Sequence, residues 1–199
     1  VFGGFLLLGG RAADLLGRKR LFVAGIGIFS VASLANDFAT SGEMLIIARG
    51  FQGLGGALTS PAALSIITTS FDEGPDRTKA LSVWGAIAAG GAAFGLLLGG
   101  ILTDLLDWRW NFIINVPIGI ATAILSRRLI EDGKGIGFEK GADIPGAVLL
   151  VASLMISVYT IVKPAAELGW TDPQTLTLFG VSTALLIAFL IREDRISTP

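Results

Sequence analysis

Apolar residues dominate the chain in long runs, and short polar clusters separate them at intervals suited to membrane-spanning helices. A span of the hydrocarbon core needs about 20 apolar residues. Six runs meet that length, at about 20–38, 43–68, 80–104, 110–128, 144–164 and 174–191, and a seventh, partial one occupies 1–9. The run from Trp84 to Asp104 is the most unusual, because six of its residues are glycine and no charge falls between Trp84 and Thr103. Gly91, Gly95 and Gly99 recur every fourth position, with Gly100 beside them, so a helix puts them on one face. A small-residue face of this kind predicts close approach of another helix.

The polar clusters set an orientation. Arg11, Arg18, Lys19 and Arg20 follow the partial span. Every second connection after it is also basic, with Arg77 and Lys79, then Arg127, Arg128, Lys134 and Lys140, then Arg192 and Arg195. Twelve of the fifteen Lys/Arg thus fall on one side, which the positive-inside rule makes cytoplasmic. Arg109 and Lys163 are on the other side, where Trp108, Trp110 and Trp170 supply an aromatic belt, and Arg49 lies within a span. The stretches 10–20, 69–79 and 129–143 are therefore expected as cytoplasmic loops.

Composition agrees. Of 199 residues, 52% are hydrophobic and 16% charged, as in a polytopic membrane protein. The net charge of −1 and the lack of a basic tract interleaved with aromatics give no footprint for nucleic acid. Cysteine and histidine are absent, which excludes disulfides, thiol nucleophiles and the commonest zinc sites, so no catalytic residue, metal or cofactor is expected. A chain that opens with Val1 inside an apolar segment reads as a piece of a longer protein.

Three clusters carry the functional expectations. Gly10, Asp14, Gly17, Arg18 and Lys19 lie within eleven residues, where a carboxylate can pair with Arg18 or cap a neighbouring helix. The alternative is a positive-inside anchor with a turn glycine. Arg49, Gln52 and Gly53 share a helix face at i, i+3 and i+4. An arginine inside the hydrocarbon costs from about 2.5 kcal/mol upward and faces a cavity or a partner, unless it snorkels to the nearby interface. Pro61 on the same helix is expected to kink it. Finally, Asn115 and Pro117 follow the Trp108–Arg109–Trp110 anchor, with Asn115 read as an interhelical hydrogen-bonder.

The pattern Gly10-x-x-x-Asp14-x-x-Gly17-Arg18-Lys19 resembles the loop signature between the second and third spans of the major facilitator superfamily. Arg49-x-x-Gln52-Gly53 is similar to that superfamily's fourth-span signature. Gly91-x-x-x-Gly95-x-x-x-Gly99-Gly100 resembles its fifth-span antiporter signature, with Leu96 standing where that signature has proline. The Trp108–Gly119 block and the segments 166–173 and 193–199 look like the fourteen-span drug/proton antiporter branch. The resemblance implies an all-α, polytopic major facilitator fold in part, from the end of the second span through the eighth. Residues 1–128 would be spans two to six of the amino-terminal six-helix bundle. Residues 129–143 would be a cytoplasmic connection, 144–191 two extra linking spans and 192–199 a truncated cytoplasmic tail.

It further implies a secondary transporter in a bacterial plasma membrane, monomeric when full length, that exports a small organic compound in exchange for protons. Arg49 would serve proton coupling at the cavity, Asp14 with Arg18 would latch the cytoplasmic gate, and the α-helical glycine face would hold bundles together. A metabolite permease without proton exchange stays open as an alternative, as does a membrane-embedded sensor or enzyme on the same scaffold. Asp37, Glu43, Asp104 and Asp107 all sit at span ends, so the protonating carboxylate is expected outside these residues.

Overall fold

The computed structural model describes residues 2–131, 133, 135 and 143–195. Among them the secondary structure is helical, in the order α1 (Phe2–Leu16), α2 (Arg18–Asp37), α3 (Gly42–Ser70), α4 (Pro75–Leu105), α5 (Trp110–Ile113), α6 (Asn115–Leu129), α7 (Ile144–Val162), α8 (Pro164–Glu167) and α9 (Pro173–Arg195). Five segments are long and apolar enough to cross a membrane: α2, α4, α5 with α6, α7 with α8, and α9. The chain is a multi-pass membrane protein.

The sixth expected span, α3, is 29 residues long yet is not among the five. Its serines, threonines, glycines, Arg49 and Gln52 dilute the apolar character. Packing compensates, because α3 is the element against which α1 and α2 both lie. Polar side chains are tolerated at membrane depth where protein, not lipid, surrounds them.

Several expected boundaries move. Residues 10–20 are not a loop: α1 continues to Leu16, α2 begins at Arg18, and Gly17 alone breaks the helix. Gly17 has φ 97°, a left-handed conformation that glycine adopts without a β-carbon clash. The 69–79 connection shrinks likewise, since α3 reaches Ser70 and α4 starts at Pro75. Pro75 suits a first helical position, where its missing N–H is not needed, and Asp76 complements the helix dipole there. The 110–128 span is interrupted at Ile114, because Pro117 has no N–H to donate to the carbonyl of Ile113. The 144–164 span ends at Val162, and Pro164 starts the short α8. Arg192–Arg195 belong to α9 rather than a tail, and residues 196–199 lie outside the described residues, as do 132, 134 and 136–142 of the 129–143 connection.

Close packing concentrates on α3. A β-carbon on Gly25 of α2 would stand 2.9 Å from the Gly55 carbonyl oxygen, and one on Gly55 only 2.6 Å from the Phe29 nitrogen. Gly9 of α1 abuts the Ala57 carbonyl. That carbonyl is the one Pro61 leaves without its helical N–H. Gly119 of α6 abuts Ser30 of α2. Small residues thus bring α1, α2 and α3 to backbone contact and set α6 against side chains of α2, which is how helices associate where burial from water supplies little drive.

The α4 glycines behave differently. No residue of this 31-residue helix is buried. A β-carbon added at Gly91, Gly95 or Gly100 would meet nothing within 4 Å, and at Gly99 it would meet only Asn111, 3.1 Å from Oδ1. The tight packing expected of this face is absent among the described residues, and the structure makes it instead at Gly9, Gly25, Gly55 and Gly119. The remaining pair, α7 and α9, forms a hairpin that rests on α1, with Met155 and Val151 against Gly4.

Candidate functional site

The buried polar groups of α2 and α3 face one another. Gln52, buried on α3, takes the centre. Its Oε1 accepts from Arg49 Nη1 at 3.2 Å and, at the long limit of 3.5 Å, from Asn36 Nδ2. Its Nε2 donates to Ser33 Oγ at 2.8 Å. Asn36 Nδ2 also donates to the Ala32 carbonyl at 2.8 Å, one turn back on α2. Arg49 and Gln52 meet because i and i+3 stack on a helix. Ser33 and Asn36 share a face of α2 by the same spacing, and both are 0% exposed. A buried polar group left unpaired costs about 1–3 kcal/mol, so these pairings are what make Gln52, Ser33 and Asn36 compatible with an apolar crossing, while Arg49 itself stands exposed at the edge of the group. Asn36 Oδ1 is the one buried side-chain atom of the group that finds no partner among the described residues.

Arg49 reaches past this network. Its guanidinium carbon lies 5.4 Å from the centre of the Phe112 ring on α5, a cation–π distance. Together these side chains wall a cleft of about 860 Å³, with Phe29, Trp108 and Asn115 on other sides and Gly50, Gly53 and Gly56 forming a bare strip along α3. A second recess of about 400 Å³ shares Phe2, Phe29, Gly56 and Asn115 with it, and Ser30 Oγ, buried and unpartnered among the described residues, stands in its lining. The glycines keep side chains out of the space, the aromatics give it apolar walls, and Arg49 is its one charged lining group among the described residues. An amphipathic organic molecule is the kind of ligand such a surface accommodates.

The predicted gate residues come together only in part. Arg18 Nη2 is 3.5 Å from Asp14 Oδ1, an ion pair one turn apart across the Gly17 break, and both side chains are more than a third exposed. Exposed pairs of this kind contribute about 0–1 kcal/mol. Lys19 sits in the first turn of α2, and a β-carbon added at Gly10 would lie 3.9 Å from Pro61 Cβ. Gly17 also carries a contact that sequence reading had not found. Gly133 and Gly135 lie against it, so that a β-carbon on Gly17 would stand 2.9 Å from the Gly133 carbonyl oxygen and 3.5 Å from the Gly135 nitrogen.

Asn115 needs correction. Its Nδ2 donates to the Asn111 carbonyl at 3.2 Å, one turn back across the Ile114 break between α5 and α6. The bond between helices comes from Asn111, whose Nδ2 donates to Thr103 Oγ1 of α4 at 2.9 Å. Arg109, expected as an interfacial anchor, donates from Nε to the Asp37 carbonyl at 2.9 Å and from Nη2 to the Ala39 carbonyl at 3.1 Å. It caps the carboxyl end of α2, where free carbonyls and the dipole favour a cation, and so ties α5, with Phe112, to the core.

A stronger ion pair closes the α7–α9 hairpin. Arg192 Nη2 is 2.8 Å from Asp143 Oδ1, and Nε contacts both carboxylate oxygens at 2.9 and 3.0 Å. Arg192 foremost, and the Gly146 N–H that Asp143 caps, hold this carboxyl below its ordinary value of 3.8. The pair's stabilisation is thus present above that value and is lost as pH falls through the lowered one.

Comparison with known proteins places the chain in context. The family model described as Major Facilitator Superfamily matches residues 1–196. A puromycin resistance protein from Streptomyces alboniger is 43% identical over 100% of this chain and 39% of its own length. A cephamycin export protein from Amycolatopsis lactamdurans is 40% identical over 98% of this chain and 40% of its own. A multidrug resistance protein from Mycobacterium tuberculosis is 31% identical over 98% and 36% respectively. The chain spans roughly two fifths of the length of these relatives.

Proposed function

From the chain's membership of the Major Facilitator Superfamily, a family of transporters rather than enzymes, we propose that the whole protein exports small organic, drug-like compounds in exchange for protons by alternating access. The carrying observation is Arg49, the one charged group among the described residues that line an aromatic cleft of about 860 Å³, held by Gln52 and Phe112. A fixed cation at membrane depth lowers the pKa of any carboxyl brought near it and releases that group's proton. Proton occupancy and cavity charge are then linked, which is the requirement for exchange. Names among the relatives favour antibiotic export over metabolite uptake, because resistance and export recur in them.

In this reading Gly53 keeps the cleft open beside Arg49. Asp14 with Arg18 closes the cytoplasmic side at the Gly17 break, and the α4 face of Gly91, Gly95, Gly99 and Gly100 receives a helix from outside these residues. Two fifths of the protein supply one wall of the cavity, and the branch with fourteen spans in a bacterial cytoplasmic membrane is the expected setting.

Inverted vesicles carrying the full-length protein test this. Under an imposed pH gradient they should accumulate puromycin or a cephamycin, and adding the compound should drive protons out of the vesicle lumen. Arg49→Ala should abolish accumulation while inserting at normal levels. Accumulation indifferent to the gradient would favour a permease without proton exchange, and unchanged accumulation by Arg49→Ala would remove Arg49 from the mechanism.

A further inference from the structure

Gln52 joins Arg49 to two residues of another helix, and neither of them touches the cleft. Ser33 Oγ accepts from Gln52 Nε2 at 2.8 Å, and Asn36 Nδ2 approaches Gln52 Oε1 at 3.5 Å while bonding the Ala32 carbonyl. Both residues are fully buried in α2, and neither lines the cleft in which Arg49 stands. Their placement is costly for a membrane helix unless the polar groups find partners, and Gln52 is the cross-helix partner of both.

A glutamine has three rotatable side-chain bonds and an amide that can turn either end outward. With Ser33 taking its N–H, the carbonyl oxygen is the end left facing Arg49. We propose that Ser33 and Asn36 are positioning residues for Arg49: they lock the Gln52 amide so that its oxygen holds the guanidinium above the Phe112 ring, at the cleft wall. The role rests on the reading of Arg49 as the coupling cation. Loss of either residue leaves Arg49 in the cleft but frees it to move, so its effect on a nearby carboxyl changes while its charge does not. Other charged groups on the surrounding elements are Arg11 and Asp14 on α1, Arg18, Lys19, Arg20 and Asp37 on α2, Glu43 in the first turn of α3, Asp107 and Arg109 in the α4–α5 turn, and Arg127 and Arg128 on α6, and none of them lines the cleft. They are constant across the variants below.

A purely structural role would lower stability without moving the pH profile of export. The full-length protein is therefore compared, in the vesicle assay with the antibiotic it exports, as Ser33→Ala, Asn36→Ala, Gln52→Ala and the Ser33→Ala/Gln52→Ala double variant. Ser153→Ala serves as the control, since it removes an equally buried hydroxyl that donates to the Ser182 carbonyl in the α7–α9 hairpin. The two α2 variants should shift the pH of half-maximal export in the same direction as Gln52→Ala, by about half a unit or more. The double variant should shift no further than Gln52→Ala alone, and Ser153→Ala should overlay the wild type. Membrane levels and thermal unfolding, measured on the same preparations, separate these shifts from misfolding. Wild-type profiles for Ser33→Ala and Asn36→Ala beside a defective Arg49→Ala would overturn the positioning role alone, as would additive shifts in the double variant. A wild-type profile for Arg49→Ala would overturn the reading beneath it as well.

Discussion

Two glycine-rich faces of this molecule end in opposite situations. On α2 and α3, Gly25 and Gly55 lie where an added β-carbon would run into backbone at 2.6–2.9 Å. On α4, Gly91, Gly95 and Gly100 have nothing within 4 Å, and their neighbours Phe94 and Leu96 are 70% and 80% exposed. Both faces follow the same composition rule, yet only one has its partner within these residues. The contrast shows what a small-residue stripe states: that backbone can approach, not which backbone does. It also locates the rigid part of the chain, because the glycine crossing of α2 and α3 lies beside the buried pairs that hold Arg49.

The sharpest break of this comparison is a large side chain at the crossing. Gly25→Leu has no space to enter without moving α3, and overpacking of this kind costs about 1–3 kcal/mol, more where the obstacle is backbone. We expect about 3 kcal/mol of lost stability in the full-length protein, seen as a lower thermal midpoint in detergent. A midpoint equal to that of the wild type would mean that the crossing yields. Arg109→Ala comes next. It removes two charge-assisted bonds to the carbonyls of Asp37 and Ala39 at a part-exposed site, an expected loss of about 1–2 kcal/mol. Hydrogen exchange should rise through α5 and at the end of α2, and Arg109→Lys should not restore protection because an ammonium lacks the planar fork. Unchanged exchange would show that α5 is held by other contacts.

The sequence made the long apolar elements legible, since period and length require no knowledge of partners. It also marked Arg49 and Gln52, because a charge and an amide inside an apolar run are conspicuous. Ser33 and Asn36 were missed. Both are small, and a serine or asparagine near a span end attracts no notice until the facing helix is known; their i, i+3 spacing was the available signal. Phe112 lies inside the Trp108–Gly119 block, where a ring can fill an interface or lie under a cation and only the fold chooses. Asn115 bonds the Asn111 carbonyl one turn back and the bond to α4 falls to Asn111, a division that only the placement of α4 beside α5 reveals. The gate loop proved mostly helical since Gly17 alone suffices to turn the chain.

The smallest effect belongs to the α4 face, and its size carries the information. Gly91→Ala adds one methyl group where the described residues leave open space, and alanine is the better helix former by about 1 kcal/mol in water. If nothing else covers that face, the full-length variant should unfold at the same temperature as the wild type or slightly above it, with export unchanged. A helix from outside these residues would reverse the sign, since a methyl group at a backbone contact forces separation. Under the proposed alternating access the face is covered in one state and opened in another. The expected outcome is therefore an unfolding temperature close to the wild type together with slower export. Loss of stability as large as that of Gly25→Leu would instead mean that α4 is clamped as permanently as α2 and α3, and would remove it from the moving part of the mechanism.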